Sequence, residues 1–366
     1  DLRRTEGRFV IALGFGHNIY EAAYSARGSL LAGYEDIRSD YVKEWRSWQK
    51  KLSYSHSGST SSGKLFRSSA AVLRMHEANR VPGAIIASMS IPWGFSEGDN
   101  DIGGYHLVWP RDLVEAAGGF LALHSTKDAL RIINYLAATQ EADGHWAQNM
   151  WIEGRSNWKG IQMDQTALPV LLIDLCRRHH AVDPAMIREY WGIVKKAVAF
   201  LTQNGPYSQM DRWEEEAGLT SFTLATEIAA LLSAADFAES NDEPDIARYC
   251  RQTADHWNDH IEHWTYVTGT SLAKEVGVDG YYIRINPTRG AAEGLKGHII
   301  NLKNHTGGQG AVPVNELVSV DVLALVRFGL RAADDPRILD TIKVIDAKLK
   351  VDTPYGPGWH RYNNDG

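Results

Sequence analysis

From residue 65 onward, apolar residues recur every three to four positions, the period that gathers them on one face of a helix. These recurrences predict helices over 65–77, 113–123, 129–136, 166–177, 186–201, 221–239, 245–260, 317–330 and 336–349. Before residue 65 the pattern is different. Residues 7–16, G-R-F-V-I-A-L-G-F-G, form a short apolar run between glycines that reads as one or two strands. No later strand-rich stretch is present to complete a sheet with it, so 1–16 is expected to be the tail of an N-terminal β domain. The mixed stretch 17–64, closing on a Ser- and Gly-rich segment at 54–64, is expected to be a linker. Residues 65–366 are then an all-α domain.

The segments 78–110, 141–164 and 204–219 lack the helical period, and each precedes every second helix of the series. If the helices pair as hairpins and the hairpins close into a ring, every second helix starts on the same face. The long loops then gather at one end, above a rigid frame, where functional groups commonly sit. A solenoid would spread the same loops along an edge, but no short fixed repeat marks one. Ala116, Gly118, Ala229 and Ala230 suit crowded inner helices.

Composition changes this picture in a few respects. A net charge of -7 without a Lys/Arg block argues against nucleic acid, whose phosphates demand clustered cations. Twelve Trp and fifteen Tyr exceed what a core needs, because Trp is rarely fully buried. Such flat faces suit a cleft that takes sugars or bases. Cys176 and Cys250 lie in predicted helices and read as buried free thiols, with a disulfide left open. No apolar run of about 18 residues is present, so no membrane span is expected. The chain starts at Asp1 without a signal-like apolar segment and reads as a processed form or a fragment.

The chemistry concentrates in the three loops. The first ends in G-G-Y-H-L-V-W-P-R-D at 103–112, the second in W-K-G-I-Q-M-D at 158–164, and the third contains D-R-W-E-E-E at 211–216. Each mixes aromatic plates with carboxylates just before a helix. Asp112 and Asp164 could be helix caps and nothing more. A cap needs no Tyr105, Trp109 or Arg111, however, and an Arg-Asp pair can grip vicinal hydroxyls through several hydrogen bonds. The histidines form no H-E-x-x-H and the cysteines sit at no metal spacing, so no zinc site is expected. Neither a G-x-S-x-G nor a phosphate loop occurs. What remains is carboxylate chemistry.

These segments resemble the substrate-binding segments of the glucoamylase and glucodextranase family of inverting exo-α-glucosidases. The likeness extends through S-I-P-W-G at 90–94, the stretch 315–329 with its V-R-F-G, and W-H-R-Y-N-N-D-G at 359–366. It implies an (α/α)6 toroid, incomplete at the C-terminus and preceded by the remnant of a β-sandwich. It implies Glu214 as general acid and Glu215 as a binding residue at the cleaved glucosyl unit. Arg111 and Asp112 would hold that unit's hydroxyls, with Tyr105, Trp109, Trp158 and Trp213 around it and Asp164, at the end of the second segment, a further substrate-binding residue.

A glycosidic oxygen leaves poorly as an alkoxide, so the acid must carry a proton at the start, a state that neighbouring carboxylates and apolar Trp surface favour. Inversion also needs a second carboxylate roughly 6.5 to 9.5 Å away with water between. In the family this base follows the last motif, so it is expected after Gly366. Glu316, Asp321 and Asp365 are the carboxylates at hand, and none matches it. The reaction implied is release of β-D-glucose from non-reducing α-1,4 ends, with an α-1,6-acting glucodextranase, another disaccharide, or a non-catalytic carbohydrate-binding fragment as alternatives. An α-glucan or oligosaccharide is the expected partner, together with a C-terminal fragment of the same precursor. No cofactor is required, a structural calcium is left open, and a secreted or periplasmic location is expected.

Overall fold

The protein is described by a computed structural model covering residues 9–52, 60–89, 105–302 and 310–365. The chain divides into two compact units, 1–70 with 123–125, and 71–122 with 126–366.

The first unit is helical. α1 (Ile19–Ala32) starts at Asn18, whose side chain accepts hydrogen bonds from the Tyr20 and Glu21 amides, satisfying N–H groups that the first turn leaves open. α2 (Tyr34–Lys51) places Glu35 and Asp36 at its start and Lys50 and Lys51 at its end, each opposing the helix dipole. The strand expected at 7–16 is absent from its described part, 9–16. A strand persists only where a partner takes its N–H and C=O groups, and no described residue pairs with it. The loop expected at 54–64 is corrected at its end: α3 (Thr60–Met75) begins there, its Ser and Gly residues sitting in the first turns, where weak helix formers cost least. Residues 53–59 lie outside the described residues, as do the S-I-P-W-G motif and residues 103–104.

In the second unit, α4 (Pro110–Ala122), α5 (Thr126–Thr139), α6 (Met163–Arg178), α7 (Pro184–Asn204), α8 (Ser221–Ser240) and α9 (Pro244–Thr265) follow the predicted series. Prolines open α4, α7 and α9, where a missing N–H costs nothing. α4 packs on α6 and α6 on α8, while α5 and α7 each lean on the two inner helices beside them and α9 leans on α8. Burial follows this two-layer plan. α8 is buried almost all round, including Phe222, Leu224, Ile228, Leu231 and Ala235, whereas α9 buries one stripe through Ala247, Cys250, Ala254, Trp257 and Ile261. That is the alternating inner and outer layering of an (α/α) toroid. α8 alone among the described helices is long and apolar enough to cross a bilayer, and 83% of that window is buried inside the protein, as in a core helix.

Beyond α9, β1 (Tyr266–Thr268) pairs with β2 (Gly280–Tyr282) across α10 (Ser271–Val276), and β3 (Ile299–Asn301) with β4 (Ala311–Pro313). The helix expected at 317–330 is corrected to a 3-10 turn, Val320–Leu323, running into α11 (Ala324–Arg327). Its first residues are extended instead, because the Arg284 amide donates to the Leu317 carbonyl and Ser319 bridges Tyr362. α12 (Pro336–Leu349) is as predicted, and β5 (Lys350–Thr353) with β6 (Gly356–Trp359) forms a final hairpin. α11 packs on α8 and continues the inner row. Leu168, Leu172, Leu232, Val326 and Phe328 line a groove of about 610 Å³ between these inner helices. Gly118 and Ala229 border that groove, while Ala116 and Ala230 are buried, so crowding accounts for only the second pair. Cys176 and Cys250 are buried free thiols, as read, and burial pushes them up to about 12 and about 11.

Candidate active site

The loops before α4, α6 and α8 meet at one end of the inner helices. The Trp109 indole N–H, one residue before α4, donates to Glu214 Oε1 at 2.7 Å. Tyr105 stacks on Trp109 with centroids 5.6 Å apart, and Trp158 meets Trp109 edge-on at 6.3 Å. Tyr105 and Trp158 are 42% and 45% exposed, in contrast to the 4% of Trp109, so the first two offer open faces while the third forms the wall. Rings with one open face are suited to the apolar face of a sugar.

Arg111, in the first turn of α4, is buried and fully directed. Its Nε donates to Asp164 Oδ2 at 2.8 Å, its Nη2 to Gln162 Oε1 at 3.1 Å, and its backbone amide to Gln165 Oε1 at 3.2 Å. Burial works against the guanidinium charge, but Asp164 more than offsets it, so Arg111 titrates above its ordinary value. Asp164 is therefore not a helix cap. Gln162 occupies the cap position without a side-chain hydrogen bond, and the Asp164 carboxylate turns sideways to Arg111. Asp112 touches solvent from within a crowded wall. Desolvation pushes its carboxyl up, Arg111 pulls it down, and the nearby Glu214 adds to the rise.

The third loop presents Glu214 from a strained turn. Glu214 has φ +66°, in the left-handed region, which costs a non-glycine residue about 1 kcal/mol or more. Asp211 holds the turn: its carbonyl accepts from the Glu214 amide at 3.0 Å, and its Oδ1 accepts from the Glu215 amide at 2.9 Å. Arg284 in turn donates to Asp211 Oδ2 and Glu215 Oε2, both at 2.7 Å, and the Tyr362 hydroxyl donates to Glu215 Oε1 at 2.5 Å. Glu214 and Glu215 thus point different ways, one toward the aromatic wall and one into a buried charge cluster. Tyr362 is held neutral, its pKa pushed up by burial and by Glu215. Trp213 donates to Asp321 Oδ2 at 2.8 Å, and Arg212 lies over the Phe222 ring and reaches Asp321 Oδ1 at 3.3 Å.

Tyr105, Trp109, Arg111, Asp112, Trp158, Asp164, Trp213, Glu214 and Glu215 are thus placed in one connected region. Gln165 and Arg284, which were not singled out, join them, as do Asp211, Gln162 and Tyr362 from within the quoted motifs and Asp321, which was raised only as a base. Arg284 carried a readable signal, since a lone arginine in the apolar run Y-Y-I-R-I at 281–285 must find an acid once buried. The other carboxylates raised as a base are engaged elsewhere. Asp321 supports Trp213, Asp365 pairs with Arg361, and Glu316 accepts from the Ser271 hydroxyl.

Comparison with known proteins gives this geometry a lineage. The family model described as glycosyl hydrolases family 15 matches residues 61–366, and that of glucodextranase domain N matches residues 1–50. A glucoamylase from Clostridium sp. (strain G0005) is 37% identical over 366 residues, covering 100% of this chain, which spans about half (49%) of that relative's length. A crystal structure of a bacterial glucoamylase complexed with acarbose is 37% identical, with a TM-score of 0.82 over 96% of this chain and 49% of its own. A wild-type glycosidase at 17% identity and a TM-score of 0.56, over 82% of this chain and 72% of its own, shares the fold. By the extent of these matches, the chain belongs to the glycosyl hydrolases family 15.

Proposed function

We propose that the protein hydrolyses terminal α-1,4-linked glucose from non-reducing ends of α-glucans with inversion, releasing β-D-glucose. The observation that carries this reading is the 2.7 Å hydrogen bond from Trp109 to Glu214 Oε1. An N–H donor on Oε1 assigns that oxygen the role of acceptor, so the proton that Glu214 delivers to a glycosidic oxygen is carried on Oε2. The stacked Tyr105 and Trp109 with Trp158 form the wall for the terminal sugar, and Arg111 with Asp112 grips its hydroxyls. Asp164 sets the direction of Arg111, while Trp213 closes the other side. Glu215, the binding residue expected at the cleaved unit, is drawn toward Arg284 and Tyr362 and so backs the site from within the buried charge cluster. For the carboxylate that activates the attacking water, the resemblance points past the last motif, and Glu316, Asp321 and Asp365, which it does not match, are hydrogen-bonded by Ser271, Trp213 and Arg361.

The match of residues 1–50 to a glucodextranase domain favours a second reading, action on α-1,6 linkages. An anomer-resolved assay of the full-length enzyme on maltose and isomaltose separates the two. Faster release of β-glucose from maltose supports the first reading and faster release from isomaltose the second, while early α-glucose in excess of what the substrate's own reducing end contributes rejects inversion. For the expected C-terminal partner, the groove between α4, α6, α8 and α11 is the fitting surface, its Leu232 being 39% exposed. We assign it to further helices of the same polypeptide.

A further inference from the structure

Glu227 stands in the second turn of inner helix α8 and is wholly buried. Neither of its carboxyl oxygens has a hydrogen-bond partner among the described residues. An ionised carboxylate in that position would lose its hydration without replacement, a cost of several kcal/mol, so the group has to be neutral. Its surroundings are specific. A Cβ on Gly205 would lie 2.7 Å from Glu227 Oε1, so the glycine at the end of α7 clears the room that the acid occupies. Asp164, on the neighbouring inner helix α6, is near enough for its charge to add to the upward push that burial exerts on Glu227. Asp164 is also incompletely satisfied. Its Oδ2 accepts from Arg111, while its Oδ1 is buried without a partner among the described residues, and the same holds for Thr166 Oγ1 and Ser221 Oγ on the same two helices.

Two buried carboxyls on packed inner helices, each with an unsatisfied oxygen and with complementary needs, suggest one arrangement. A protonated acid has an O–H to donate, and a carboxylate that already serves a cation has an oxygen left to accept. No direct bond joins them, and a buried water with several polar neighbours is the ordinary link across such a gap. We propose that Glu227, in its protonated form, donates through one water to Asp164 Oδ1 and thereby fixes the carboxylate that aims Arg111 at the sugar. It is a positioning residue, two steps removed from substrate. The inference deepens the sugar-binding reading above and rests on it.

Two measurements test it separately. Infrared difference spectra between the wild-type full-length enzyme and Glu227→Gln at neutral pH should contain the C=O stretch of a protonated carboxylic acid that the variant lacks; its absence overturns the proposal whatever the enzyme binds. Titration calorimetry with maltose should then show binding weakened about tenfold in Glu227→Leu, and also in Glu227→Asp, where the acid is withdrawn by one methylene. Glu227→Gln, still a neutral donor, should restore binding to within about threefold. In an Arg111→Ala background the Leu substitution should have no further effect, since both act through one chain of contacts. Equal binding by wild type, Leu and Asp variants, or full additivity with Arg111→Ala, would overturn the positioning role. Should the Leu variant fail to fold, the Asp and Gln comparison decides alone. If wild-type enzyme neither binds nor cleaves maltose, the functional reading fails while the infrared result still decides the state of Glu227.

Discussion

Glu214 and Glu215 are adjacent and chemically identical, yet the turn held by Asp211 sends them into different work. Glu214→Gln removes the proton but keeps the shape and the Trp109 hydrogen bond. In the full-length enzyme it should lower kcat on maltose by a factor of about 10² or more while leaving KM within a few-fold; near-normal turnover would remove Glu214 as the acid. Glu215→Gln should behave differently, because it takes a charge from a cluster in which Arg284 is 3% exposed. Loss of one partner of a buried pair costs a few kcal/mol, and Asp211 remains to share the burden, so a loss of about 2 kcal/mol is expected. Chemical denaturation of the two variants separates them: stability falls with Glu215→Gln and stays near wild type with Glu214→Gln.

At the scale of single elements, the glycines divide into those that are needed, such as Gly83 in the turn after α3, and those that are not, such as Gly118 within α4. Gly118 lies in α4 and a Cβ there would meet nothing within 4 Å, so Gly118→Ala should stabilise the protein by about 0.5–1 kcal/mol through helix propensity. Gly83 has φ +89°, and a Cβ there would come within 2.2 Å of the Arg131 carbonyl. Gly83→Ala should destabilise by about 1–3 kcal/mol. Thermal unfolding of the pair reads both signs. In α8, Glu227 gives stability a dependence on pH. Its carboxyl is raised in the folded protein by burial and by Asp164, from the ordinary 4.5. The folded state therefore binds the proton more tightly than the unfolded one, so this contribution is full below about 4.5 and declines as pH rises toward the folded pKa. Glu227→Gln cannot ionise and should flatten that decline, which denaturation at several pH values would reveal; an unchanged slope would contradict the raised pKa.

For the whole molecule, the inner row of α4, α6, α8 and α11 leaves a groove in which apolar residues such as Leu168, Leu172, Leu232 and Phe328 lie beside charged Glu115, Asp236, Arg251 and Arg327, and we assign it to further helices of the polypeptide. Apolar surface left to water binds hydrophobic dyes and promotes association. The 366-residue chain should therefore bind such a dye more strongly than a longer polypeptide that carries those helices, and Leu232→Glu should reduce that binding. Equal dye binding by both would leave the groove uncovered in the complete enzyme and reject the assignment.

What the amino-acid sequence determined by itself was local and periodic. The positions of α4 to α9 and α12 follow from apolar spacing, from prolines at helix starts, and from caps such as Asp183 and Asp335, all of which act over a turn or two. The segments that carry the site were also legible, because aromatic and acidic residues cluster there without a capping need. The fold of 317–330 was not legible: its helical period yields to backbone pairing with segments near Arg284 and Tyr362, contacts between distant parts of the chain. The same holds for the use of each acid. Only the tertiary structure decided that Asp164 serves Arg111 instead of capping α6, that Glu215 is drawn inward by Arg284 and Tyr362, and that Glu227 is stranded beside Asp164. Burial and charge pairing depend on which helices become neighbours, and hydrophobic period encodes that a face is buried without encoding against what.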